Sequence, residues 1–212
     1  MRITKQVLTR RWAITSALAA LVFAVLAWSD LRLKSLTGFG TADLQGFATA
    51  DQYRQAFMAW PARYAVRAGF NWGLDYLLMP LYAAAFFYSG ILTRETFAPR
   101  PGRVRRILTL LAAVPIAGAL LDAAENALQL TLMFSGLSDR LAGIALYVSN
   151  AKWMAIYVGV ALWLGCFGPA SRSASSGGCG RTAGFENRSL TGKLLCVYSA
   201  APWGDSPSRK NN

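Results

Sequence analysis

The chain has 212 residues, 54% of them hydrophobic and only 15% charged, with a formal net charge of +12. A soluble domain carries about 25% charged residues, so this chain lacks a soluble protein's surface. Its Lys and Arg gather between long apolar runs and line no single face, which excludes a nucleic-acid interface. Histidine is absent and the three cysteines form no CxxC pair. That removes the usual general base, the haem ligand and most zinc or di-iron sites, so no metal and no cofactor is expected. No phosphate-binding loop, nucleophile elbow or zinc-protease motif is present.

The pattern predicts an all-α, polytopic membrane protein with four spans. The first run is Trp12–Trp28, roughly 25 Å long at 1.5 Å per residue and bounded by a tryptophan at each end. Within it Ala13, Ala17, Ala20, Ala24 and Ala27 recur at steps of three and four, a small-residue seam that permits close helix packing. A cleaved signal peptide is the rival reading, because the run follows a basic start and ends in a V-L-A triplet.

The loop that follows, 29–71, contains Tyr53, Phe57, Trp60 and Tyr64 on one helical face. This predicts an interfacial helix over about 51–68, lying on the outer membrane surface. Packing over the mouth of the bundle is the alternative. Pro61 marks the start of a second helical segment running into span two.

The second span is read at 72–92, the third at 107–134 and the fourth at 141–167. Basic residues set the orientation. Four lie in the first eleven residues and five in the loop 93–106, whereas the much longer loop 29–71 also holds only five. Both termini are therefore expected in the cytoplasm, and the chain in the plasma (inner) membrane. Residues 1–168 form the transmembrane domain. The remainder, 169–212, is basic and Gly/Ser-rich and is expected to be a disordered tail. The NRS triplet at 187–189 would be irrelevant for glycosylation on the cytoplasmic side.

The third span breaks the apolar pattern with LLDAAENALQL at 120–130. At 100° per residue, Asp122, Glu125, Asn126 and Gln129 share one arc of about 100° with Pro115 and Gly118. Each acid costs about 2.5–3.5 kcal/mol at a membrane centre, and each Leu, Ile, Phe or Val returns only about 0.3–0.6. Such a helix inserts stably only if its polar face meets polar partners. Lys152 in span four lies at matching depth, so an ion pair with Asp122 or Glu125 is expected. Span two contributes Asn71, Asp75, Tyr82 and Ser89 on one face. Pro80 and Pro115 are expected to kink their helices.

The candidate site is therefore Asp122, Glu125, Asn126, Gln129, Lys152, Asp75 and Tyr82. Its residue types suit binding or transport of an ion, a proton or a small solute. Two other readings use the same residues: a packing device in a structural or accessory membrane subunit, and a lipid-modifying enzyme with paired carboxylates. The expected partners are the bilayer and a second membrane subunit, either a copy of this chain or another protein.

Overall fold

The computed structural model describes residues 5–98 and 101–166. The tail, with Cys179, Cys196 and the NRS triplet, lies outside the described residues. Five α-helices and one 3-10 turn account for the regular structure: α1 Lys5–Thr37, the turn Ala42–Gly46, α2 Ala50–Met58, α3 Ala62–Phe97, α4 Arg103–Phe134 and α5 Asp139–Gly165. Four of them, α1, α3, α4 and α5, are long and apolar enough to cross a bilayer. The chain is a multi-pass integral membrane protein built entirely of helices over its described length.

α3 is the central helix, packing against α1, α4 and α5, while α4 and α5 pair as an antiparallel hairpin. Each helix is bounded by local chemistry. At the end of α1, Gly38 adopts a φ of +86° and its N–H closes on the Lys34 carbonyl at 2.8 Å; a side chain there would be strained. α2 opens with a capping box. The Gln52 N–H bonds the Thr49 hydroxyl, and the Gln52 side chain accepts from the Thr49 N–H. Pro61 caps α3, where its missing N–H costs nothing. α4 and α5 meet near Gly118, where an added Cβ would lie 3.0 Å from the Ala155 Cβ. The absence of a side chain at 118 lets the two backbones approach.

Three expectations need correction. The membrane helices extend beyond their apolar runs: α1 by seven residues at its start and α3 by ten. Hydropathy marks only the most apolar stretch, whereas each helix continues beyond it through the membrane interface. The outer helix expected over about 51–68 ends at Met58 as the nine-residue α2, and α3 starts at Ala62 directly after Pro61, where the sequence marks a second segment. Of the two placements open to its aromatic face, it takes the one over the bundle mouth. Tyr53, Ala56 and Trp60 are buried with Leu33, Leu44, Ala68, Trp72, Leu132 and Ala142. Aromatic rings in that apolar face gain more by filling the bundle mouth, where Tyr53 donates to the Leu44 carbonyl and Trp60 to the Phe39 carbonyl.

The third correction concerns α1. Ala13, Ala17, Ala20 and Ala24 are exposed, and the covered stripe runs through Val22, Leu26, Ser29 and Leu33 on the other side. Ser29 and Asp30 decide the rotation. Both need shelter from lipid, and Asp30 accepts from the Thr41 hydroxyl at 2.7 Å and from Asn71 of α3 at 3.3 Å. Turning them toward α3 turns the alanine seam away.

Candidate functional site

The polar stripe of α4 is wholly internal. Asp122, Glu125, Asn126 and Gln129 are each at most 3% exposed, and Lys152 of α5 is 2% exposed. Because α3 and α4 run antiparallel, residues ascending one helix meet residues descending the other. Trp72, Asp75 and Tyr82 of α3 thus face Gln129, Asn126 and Asp122 of α4.

The network centres on Lys152. Its Nζ donates to Asp122 Oδ1 at 2.7 Å and lies 2.6 Å from Glu125 Oε2. Asp122 uses its other oxygen to accept from Tyr82 Oη at 3.0 Å. Glu125 Oε1 accepts from the Gln129 amide at 2.8 Å, and Gln129 Oε1 accepts from the Trp72 indole at 3.0 Å. A continuous chain therefore runs Trp72–Gln129–Glu125–Lys152–Asp122–Tyr82 through three helices. Beside it, Asn126 donates to Asp75 Oδ2 at 2.7 Å.

All seven sequence-derived candidates come together in this one region. Lys152 engages both acids of α4, where a pair with one was expected. Depth explains this: Asp122 and Glu125 sit one turn apart on the same face, and the flexible ammonium carries three donors. Asp75 and Tyr82 are only partly buried and form the rim. Pro115 is buried in α4, Pro80 is exposed on α3, and both lie inside unbroken helices.

Sequence reasoning missed Trp72. An indole at the end of an apolar run reads as an interfacial anchor, yet its N–H completes the coordination of Gln129. The signal was available in the spacing, since Trp72, Asn71 and Asp75 begin the same polar face of α3. The knot of Asp30, Thr41 and Asn71 near α2 was missed as well, because Asp30 follows the first apolar run and reads as loop.

Compared with family models, curated proteins and solved structures, the chain matches none. The chemistry of the site must therefore be read from its atoms. Two carboxylates share one ammonium, and a third carboxyl, Asp75, has a neutral amide as its donor. With every acid ionised the group would carry a net charge of −2. In a low-dielectric interior that surplus is costly, and a bound proton or cation removes part of it. Among the described residues no group of three or more His, Cys, Asp or Glu is placed to hold a metal ion. Two surface hollows, of about 480 and 320 Å³, lie at the end of the bundle that bears α2 and are lined by other residues.

Proposed function

We propose that this protein binds a proton or a small monovalent cation at the Asp75–Asp122–Glu125–Lys152 cluster, in a binding or transport role. The observation that supports this reading is the imbalance of three carboxyls against one lysine in a shared, enclosed network. A cluster built only for packing would be expected to balance its charges, since each unpaired buried charge costs several kcal/mol. Asp75 is the exchangeable position, because it stands at the partly open rim and has no direct ammonium partner. The orientation with both termini cytoplasmic, and residence in the plasma (inner) membrane, belong to the same proposal.

Proton titration of the purified protein tests it. Between pH 5 and pH 9 the unmodified chain should release about one proton more than Asp75→Asn, over the background that both share from the α-amino group and the cysteines. Asp75→Asn should lack that proton while folding normally. If sodium lowers the pH of release relative to choline, a monovalent cation is the physiological occupant. Equal titration of the unmodified and Asp75→Asn proteins would remove the proposal. A packing role is then the better account, supported by the continuous hydrogen-bond chain that joins three helices.

A further inference from the structure

A second cluster of charge lies apart from the buried site, at the outer end of α3. Arg63 and Arg67 stand one turn apart and, with Tyr64, Val66 and Phe70, line the hollow of about 480 Å³. Lys34 and Arg54, at the same end, are neutralised by Asp43 and Asp51. Arg63 and Arg67 have no carboxylate partner among the described residues. Their guanidinium groups lie instead over aromatic rings, Arg63 over Tyr64 at 4.5 Å and Arg67 over Trp28 at 5.8 Å. Stacking of this kind holds the forks in place while leaving their N–H groups free for an anion.

Below the arginines the helix surface is apolar, with glycines that leave open space between its exposed side chains. Val66, Phe70 and Leu77 are 74%, 53% and 52% exposed. Gly69 and Gly73 lie between them, and a Cβ at either position would meet nothing within 4 Å. The result is a furrow running down α3 from a doubly cationic head. From Arg67 to Leu77 the helix rises about 15 Å, half of a hydrocarbon core of about 30 Å. That matches the depth of one lipid leaflet.

We propose that this surface is a binding site for an anionic phospholipid. The phosphodiester sits in the fork of Arg63 and Arg67, and one acyl chain lies along the Gly69–Gly73 furrow against Phe70 and Leu77. Arginine suits a phosphate because its planar donors match two oxygens at once. The location also gives these two charges a purpose. By the distribution of basic residues this is the outer end, where arginine is otherwise disfavoured.

The test uses the full chain reconstituted in phosphatidylcholine vesicles with and without phosphatidylglycerol, extracted into mild detergent and weighed intact by native mass spectrometry. The unmodified protein should retain phosphatidylglycerol in preference to phosphatidylcholine. The R63Q/R67Q double variant should bind it at least roughly tenfold more weakly, the loss expected for one charge-assisted hydrogen bond. Arg63 is exposed and Arg67 half-buried, and neither has a carboxylate partner among the described residues to strand, so folding is retained. Gly73→Leu fills the furrow and should weaken retention with both arginines intact. R103Q/R106Q, at the opposite end, should leave it unchanged. Retention that survives R63Q/R67Q, or falls only in R103Q/R106Q, overturns the proposal. So does displacement of the lipid by inorganic phosphate alone, which would make the site one for a free anion.

Discussion

Lys152 is held by two carboxylates, and the consequences of removing it differ from those of removing either acid. Lys152→Met leaves Asp122 and Glu125 buried without a cation, and breaking a buried pair in this way costs about 3–5 kcal/mol. Chemical unfolding in detergent should show that loss. Adding Asp122→Asn and Glu125→Gln to the same chain removes the stranded charges, and most of the stability should return. A triple variant no more stable than Lys152→Met would mean that the lysine acts through its shape and not its charge. Much of this site was legible residue by residue. A period of three and four placed the α4 stripe, and counting back from the outer ends of α4 and α5 placed Lys152 beside it. Asp30 was not legible, and Trp72 was overlooked although it begins the same face as Asn71 and Asp75, because each lies where an apolar run meets a loop and that location explains the residue type without a partner. Only the tertiary arrangement assigns Trp72 to Gln129 and Asp30 to Thr41 and Asn71.

Elements carry their own tests. α3 and α4 are joined at the end opposite the cap by Glu95, which accepts from both Arg105 Nη atoms at 2.6 and 3.1 Å and is also paired with Arg94. Hydrogen bonding from Arg105, reinforced by Arg94 and opposed only in part by burial, holds the Glu95 carboxyl below its ordinary value. A depressed carboxylate contributes stability above its unfolded value and loses it as pH falls through the folded one. Glu95→Gln should therefore lower stability at neutral pH, where the ion pairs are fully formed, and flatten the acid limb of the stability curve below about pH 4, the ordinary carboxylate range. Gly118 governs the neighbouring contact. Gly118→Leu forces a side chain against Ala155, and overpacking of this kind costs about 1–3 kcal/mol. Thermal unfolding should report the loss, whereas Gly143→Leu, where nothing lies within 4 Å of an added Cβ, should be tolerated. Which helices exist was clear from hydropathy, but their rotation was not. α1 shows why: an alanine seam and a Ser29–Asp30 pair lie on opposite sides, and the cost of exposing an acid to lipid outweighs the convenience of close packing. α2 shows the same limit, since its aromatic face suits lipid or protein equally until a neighbour is known.

At the scale of the molecule, the two ends are closed differently and the middle is polar. Phe39, Phe47, Tyr53, Phe57, Trp60 and Trp72 form a run of ring contacts over the mouth of the bundle at the α2 end, with successive centroids 5.5–6.2 Å apart. The last of these rings also hydrogen-bonds Gln129, so the cap and the buried network share a residue. Arginines gather at the other end. This asymmetry predicts the orientation: a reporter joined after Ala98 should be cytoplasmic and one joined after Ala48 external, with the reverse result contradicting the charge argument. Everything functional in this account depends on the charge state of the central cluster within the membrane. The most direct measurement is infrared spectroscopy of the protein in lipid vesicles at pH 5, in choline buffer free of sodium and potassium. The account predicts a carbonyl stretch from a protonated carboxylic acid, shifted in heavy water and lost in Asp75→Asn. Only carboxylate bands in the unmodified protein, identical in number to those expected with Asp75, Asp122 and Glu125 all ionised, would contradict it.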